Sequence, residues 1–247
     1  MFIGDIKSIR IYTLYSMVSM IQENSEQMLS GLQEVIPEIT LKEEQYRHTP
    51  RTLRDKIAKA VVRLSAECAD FLFQERYNHR AVVLETIAAV PGMVGGLFQH
   101  LKSLRFIRDD NGWIRTLLDE AENERIHLII YSELAKPNVI ERLLIMIVQF
   151  FFYNIYFILY LLSPRTAHRV VGYLEEEAIH SYEHYLELVR QGKHENVEAT
   201  MLAKTYWNLH DDAHLIDMIQ ATILDEMTHR DVNHRFSDDK TGTTMWH

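Results

Sequence analysis

Apolar residues recur at three- and four-residue spacing through most of this chain, and the pattern divides it into helices. Over 51–75, Ile57, Val61, Leu64, Cys68 and Phe71 keep that spacing while Arg51, Arg54, Lys56, Lys59 and Arg63 crowd the same segment. The pattern predicts a basic amphipathic helix whose apolar side either packs inward or lies on a membrane surface. Four further helical runs follow, over 80–104, 113–135, 165–190 and 211–235. Pro91-Gly92 falls inside the first of these, where it is expected to kink the helix or break its hydrogen-bond ladder. Ser163-Pro164 reads as the start of the third. Residues 1–46 are mixed, weakly periodic and broken by Pro37. The expected organisation is an N-terminal arm over 1–46, a helical domain over 47–236 and a tail over 237–247.

Between the second and third of these runs lies LLIMIVQFFFYNIYFILYLL, residues 143–162, with no charged residue. Its length suits a transmembrane span. Crossing the bilayer would put Glu124 and Glu175 on opposite sides of about 30 Å of hydrocarbon, where they could not share a site. Either the acidic helices do not cluster, or this segment enters and returns on one side. A helix lying in one leaflet fits better. Arg142 at one end and Arg165 with Arg169 at the other suit a single anionic surface, and Gln149, Asn154, Tyr153, Tyr156 and Tyr160 dilute the apolar run.

Composition narrows the class. The chain has 247 residues, 47% of them hydrophobic, and only 9 Gly and 5 Pro, which favours a globular, mainly helical chain. A net charge of −9 without a basic patch argues against nucleic acid as a partner. The lone cysteine, Cys68, excludes an intrachain disulfide and a Cys-rich metal site. It reads as a small buried hydrophobe. MFIGDIKSIR lacks the basic-then-apolar order of a secretory signal and makes a poor transit peptide.

The chemistry lies in a repeated spacing. EAENERIHL carries Glu124 and His127; LDEMTHRDVNH carries Glu226 and His229. Residues i and i+3 of a helix share a face, so each pair projects together. One such pair arises readily by chance. Two, on separate helices, with Glu85 on a third and a glutamate of the 175–177 run on a fourth, match the di-iron carboxylate bundle: one Glu from each of two helices and Glu-x-x-His from each of the others. Glu85 sits in VVLETIAAV, where an ionised carboxylate is costly without a cation. An ion pair to Arg80 is the plainer alternative. Spacing leaves the third helix open among Glu175, Glu176 and Glu177, and His180 makes a further Glu-x-x-His with Glu177. Glu175, Ala178, Ile179 and Tyr182 share one face, which would set a phenol beside the metals. Carboxylates with imidazole select iron or manganese over copper or zinc. The expected fold class is all-α: a ferritin-like four-helix bundle with a di-iron centre, plus amphipathic membrane-surface helices, monotopic.

LETIAAVPGMVGG, WIRTLLDEAENERIHL, LEEEAIHSY and DEMTHRDVNH closely resemble the four signature regions of the alternative oxidases, over about 47–236 and in the same order. The resemblance implies a cyanide-insensitive terminal oxidase that passes electrons from ubiquinol to dioxygen and makes water without pumping protons. It implies two Fe ions held by Glu85, Glu124, His127, Glu175, Glu226 and His229, and so picks Glu175 from its run. It leaves open whether both histidines touch iron. Tyr182 matches a redox-active phenol of the family. Arg80, Leu84, Leu174, Glu177, Ala178 and Ser181 match the quinol site. Asn123, Trp207 and Asp225 match residues that hold ligands by hydrogen bonds, and His168 matches a position near the membrane side. The implied partners are ubiquinol, dioxygen, one membrane leaflet and a second copy of the chain, with the arm contributing to the homodimer. The implied location is the matrix side of the mitochondrial inner membrane or that of a related organelle, with a bacterial cytoplasmic membrane as the alternative. The 183–206 stretch looks slightly short for the family, and regulatory cysteines have no counterpart. A di-iron hydroxylase of a quinone precursor would share the ligands but not the AIHSY context. A ferritin-like ferroxidase would not need an apolar crossover flanked by arginines.

Overall fold

The computed structural model describes residues 47–73 and 76–239; the N-terminal arm expected over 1–46, the side chains of residues 68–75, Cys68 among them, and residues 240–247 lie outside the described residues. Among the described residues seven helices follow in order: α1 (Leu53–Phe73), α2 (Tyr77–Phe106), α3 (Trp113–Ala135), α4 (Val139–Leu162), α5 (Pro164–Arg190), α6 (Met201–Tyr206) and α7 (Leu215–Asp238). Among the described residues the sole β pairing is an isolated bridge between Glu198 and His214. The fold is therefore all-α, as the periodicity predicts.

Helix α2 packs along α3, and α5 along α7; the two pairs meet through α2–α5 and α3–α7 to make a four-helix bundle. Helix α4 is the long crossover between the pairs. The α2–α3 approach depends on small residues. A Cβ at Gly92 would stand 2.3 Å from the Leu117 carbonyl oxygen, and one at Gly95 3.1 Å from Leu117 Cδ1. Pro91 and Gly92 do not break α2: the helix runs on through them, with both buried against α3.

Helix ends follow local chemistry. Asn138 caps α4 by accepting from Ile140 N and Glu141 N, while Glu141 accepts from Asn138 N at 2.9 Å. Ser163 precedes Pro164 at the start of α5, as read from the sequence. Helix α7 starts at Leu215 rather than 211, because Asp217 Oδ2 takes the His214 N–H at 2.8 Å and fixes the entry there. Helix α6, which the periodicity did not suggest, is one short piece started by Thr200, whose hydroxyl accepts from Ala203 N at 3.1 Å.

Helices α1 and α4 present apolar faces outward. Of the most apolar stretch of α4 only 11% is buried, whereas 61% of the comparable stretch of α2 is. Helix α2 is thus a core helix. Helix α4 buries Tyr156 and Tyr160 and exposes Leu143, Met146, Ile147, Phe150, Phe151 and Ile158. Helix α1 buries Ala58 and Val62 against Val170, Tyr173 and Leu174 of α5. Of the residues that define its apolar stripe in the sequence, Ile57, Val61 and Leu64 are exposed, and Cys68 and Phe71 lie outside the described side chains. The described part of the stripe does not pack on the bundle.

One sequence expectation is corrected. Arg169 does not join Arg142 and Arg165 on a surface flank. It is 3% exposed and surrounded by anionic and histidine partners inside the protein. Its place on the inner side of α5, beneath α1, takes it out of reach of lipid.

Candidate metal centre

Each helix of the bundle brings one turn of its inner stripe to the middle. Glu85 comes from α2, Glu124 and His127 from α3, Glu175 from α5, and Glu226 and His229 from α7; all six are buried. Ligand atoms of Glu85, Glu124, His127 and Glu226 all lie within 4.8 Å of one another. His127 Nδ1 stands 3.4 Å from Glu226 Oε1, 3.5 Å from Glu85 Oε2 and 3.8 Å from Glu124 Oε2. His229 Nδ1 stands 2.6 Å from Glu124 Oε1 and 3.5 Å from Glu226 Oε2. Glu175 is close enough for its charge to be felt by Glu124, Glu226 and His229. Five of the six predicted residues meet at one site, and the buried Glu175 stands within electrostatic reach of it. Glu176 is buried but turned to His234, Glu177 is half-buried, and His180 is exposed, so the third Glu-x-x-His contributes nothing here.

The electrostatics are those of a cation site. Burial, then the neighbouring Glu226 and Glu85, push the Glu124 carboxyl well up. Burial, Glu226 and Glu124 do the same to Glu175. Burial disfavours charged His127, but the bond to Asp225 and the nearby Glu226 and Glu85 carboxylates outweigh it and raise the imidazole. His229 is raised to about 9, because Glu226 and the surrounding carboxylates outweigh burial. Burial alone would lift Glu226, yet the two histidines hold it low. Four buried carboxylates cannot all be anionic here without bound positive charge.

Whether a metal fits can be judged from atoms with nothing to do. Glu85 Oε2, both Glu124 oxygens, His127 Nδ1, Glu226 Oε2 and His229 Nδ1 are buried and lack a hydrogen-bond partner. Buried polar atoms are almost always paired. Six orphans on five converging ligand-type groups leave lone pairs aimed at a common space. Carboxylate oxygens with imidazole nitrogen are the donor set of iron or manganese.

Outer partners fix these groups. Asp225 Oδ2 meets His127 Nε2 at 3.0 Å and accepts from Asn123 Nδ2 at 2.9 Å and Trp207 Nε1 at 2.8 Å. With Nε2–H donated to Asp225, Nδ1 of His127 is left free to face the carboxylates. Three donors hold the half-buried Asp225 ionised, overriding the effect of its partial burial. Tyr182 donates its hydroxyl to Glu85 Oε1, and its ring lies 5.4 Å from that of Tyr131, whose hydroxyl bonds Thr222 at 3.0 Å.

The residues matched to a quinol site are less concentrated. A small cleft beside Tyr182 is lined by Tyr77, Ala81, Leu84, Ser181, Tyr182 and Tyr185. It takes in Leu84 and Ser181 of the predicted set. Arg80, Leu174, Glu177 and Ala178 are not among its lining residues.

Sequence reasoning missed a buried polar chain one turn beyond the ligands. Gln99 Nε2 donates to Tyr160 Oη at 3.3 Å, and Tyr160 meets His168 Nε2 at 3.1 Å. His168 Nδ1 meets Asn233 Oδ1 at 2.8 Å, and Asn233 Nδ2 donates to both oxygens of Glu120 at 3.0 and 2.9 Å. Asn233 Oδ1 only accepts, so His168 carries its proton on Nδ1 and takes the Tyr160 hydroxyl proton on Nε2. Burial lowers His168 to about 4 and keeps it in this neutral form. Four side chains, from α2, α4, α5 and α7, thus donate in one direction, ending at the Glu120 carboxylate of α3. Glu120 stands four residues before Glu124 and Asn233 four after His229, so the ligand stripe itself pointed to them.

Comparison with known proteins gives this geometry its relatives. A family model described as alternative oxidase matches residues 37–238. Ubiquinol oxidase 2, mitochondrial, of Arabidopsis thaliana is 54% identical over 191 residues, covering 77% of this chain and 54% of that protein. The mitochondrial ubiquinol oxidase of Mangifera indica is 53% identical over 191 residues, covering 77% of this chain and 60% of the relative. That of Batrachochytrium dendrobatidis is 51% identical over 189 residues, covering 76% and 60%. The chain spans little more than half the length of these relatives. The matched region nonetheless contains all four bundle helices, both Glu-x-x-His pairs and the buried carboxylates between them: this chain belongs to the alternative oxidase family.

Proposed function

We propose that the chain is a terminal ubiquinol oxidase that holds two iron ions among Glu85, Glu124, His127, Glu175, Glu226 and His229. The observation that carries this reading is the convergence of two Glu-x-x-His pairs and Glu85 on one buried space, with unpaired lone pairs on each, beside the buried Glu175. Family membership selects quinol over other reductants: the relatives are named ubiquinol oxidases. Two irons bound there would relay electrons from quinol to dioxygen. Two quinols then give up four electrons and four protons, enough to turn one dioxygen into two waters.

The protein's own groups handle protons and position. Tyr182 holds its phenolic proton against Glu85, between the metal centre and the cleft that Leu84 and Ser181 line. Burial and the adjacent Glu85 push that phenol well up, so it stays protonated until an electron leaves with the proton. Tyr182→Phe keeps the packing and removes the proton. It is expected to lower kcat about 100-fold or more at unchanged iron content, within the range of lost acid–base groups; stopped-flow turnover with iron analysis checks this, and wild-type kcat would sink the role.

The exposed faces of α1 and α4 support docking on one leaflet, where a lipid-dissolved quinol is found. The mitochondrial inner membrane, matrix side, is the proposed location, since the relatives are named mitochondrial; a bacterial cytoplasmic membrane is the other setting. A homodimer follows from the resemblance, and Met93, Leu97, Leu101 and Leu104 form an exposed apolar stripe on α2 available to a second copy.

The deciding experiment feeds a short-chain ubiquinol to vesicles carrying the purified, iron-loaded chain and follows oxygen with cyanide present. Uptake that survives cyanide is expected. Iron-loaded protein that consumes no oxygen would overturn the oxidase reading in favour of a hydroxylase.

A further inference from the structure

The buried Arg169 is the centre of an arrangement that the metal chemistry does not use. Its Nε donates to Asp55 Oδ1 of α1 at 3.1 Å, its Nη1 to His234 Nδ1 of α7 at 2.8 Å, and its Nη2 to Asp238 at the end of α7. A guanidinium only donates, so His234 must accept on Nδ1 and carry its proton on Nε2. That proton points at Glu176 Oε1 of α5, 3.1 Å away. Glu176 Oε2 faces Lys59 Nζ of α1 at 3.6 Å. The loop therefore starts at Asp55 and ends at Lys59, one turn apart on α1, after passing through α5 and α7.

The backbone is shaped for this loop. Arg169, Gly172 and Glu176 lie on one face of α5, and the His234 ring rests on Gly172, where a Cβ would come within 2.5 Å of Nδ1 and Cε1. Asp55 serves twice: Oδ2 accepts from Thr52 N at 2.9 Å and Arg51 N at 3.1 Å to start α1, while Oδ1 takes Arg169. Around the loop, Ala58 and Val62 pack on Tyr173 and Leu174. Buried ion pairs add little net stability over apolar packing. What a directional loop adds is a single register of α1 against α5.

That register ends at the site. Glu176 lies between Glu175 and Glu177, and Leu174 packs against the cluster that Ala58 and Val62 of α1 form with Tyr173. We propose that Arg169 and His234 are positioning residues: the loop latches α1 to the bundle and so fixes the 174–177 segment that receives quinol. This rests on the oxidase reading above, and on Leu174 and Glu177 as quinol contacts. No latch side chain is a proposed metal ligand, so loss of the latch should impair substrate capture and leave the centre loaded.

The test compares the full-length chain in vesicles with Asp55→Asn, Gly172→Ala and Lys59→Gln. KM and kcat for ubiquinol, iron per chain and melting temperature are read for each. Asp55→Asn and Gly172→Ala are expected to raise KM about fivefold or more, with kcat within about twofold and iron retained, the pattern of lost substrate positioning. The double variant should do no worse than the stronger single one, because both break the same loop. Lys59→Gln, at the half-exposed end, should raise KM about twofold, and it decides the matter if the other two do not fold. Unchanged KM in an active wild-type background overturns the latch. So does a fall in iron content and melting temperature with KM unmoved, the mark of a merely structural contact. A wild type that takes no electrons from quinol overturns the oxidase reading, and this inference with it.

Discussion

Glu124→Ala is expected to strip the metal centre and abolish quinol-dependent oxygen uptake. Glu124 is fully buried, both of its oxygens lack hydrogen-bond partners, and it faces both histidines of the site. Replacing a residue that merely supports a ligand costs about 10–100-fold in affinity or activity. Removing a carboxylate that faces both halves of the site should exceed the upper end of that range. The metal-free protein should respond the other way. Without a cation, Glu124 repels Glu226 and Glu85 inside a desolvated pocket, so its removal should stabilise the apoprotein. Iron per chain, oxygen uptake and the melting temperature of chelator-treated samples check the three parts. Full iron loading in the variant would contradict the assignment of Glu124; a less stable apoprotein would contradict the electrostatic account.

Gly92→Ala has the second largest expected effect, with no chemistry involved. The added methyl would lie 2.3 Å from the Leu117 carbonyl and 3.0 Å from Ala121 Cβ and N, all on α3. Neither backbone can yield without moving a ligand, because Glu85 lies two turns up α2 and Glu124 one turn down α3. The cost should reach the upper end for overpacking, about 3 kcal/mol. For a chain of this size that is about 6–12 °C in melting temperature. Thermal unfolding of the iron-loaded variant checks it. A melting temperature within a degree of wild type would show that the helices can part freely.

The sequence was most legible where a pattern repeats along one element. Helix α3 occupies Trp113–Ala135, the predicted run, because its stripe from Trp113 to Tyr131 is continuous. Glu-x-x-His was legible for the same reason: its meaning depends on one helical turn. The Glu120–Asn233–His168 chain was not, since its partners are 113 and 65 residues apart in sequence and meet through packing. Arg169 was misread for a related reason. A basic residue near the end of an apolar run suits either a lipid headgroup or a buried acid, and only the docking of α1 decides between them. Helix α1 itself shows an apolar stripe in sequence, but the stripe does not say which side faces the protein. Its inner face is built from small residues, Ala58 and Val62, with Asp55, and its bulkier Ile57 and Leu64 point away.

Docking on a leaflet through the exposed side of α4, as proposed, would also change what concentration means for this protein. An enzyme held on a leaflet meets its reductant at a surface density set by the ratio of quinol to lipid, and the bulk volume drops out. Diluting a suspension of vesicles would leave the rate per protein molecule unaltered, while adding quinol to the same lipid would raise it. Turnover is then governed by the redox state of the shared quinol pool in two dimensions. Helices α1 and α4 would tie the chain to that pool as firmly as a substrate channel ties an enzyme to its donor.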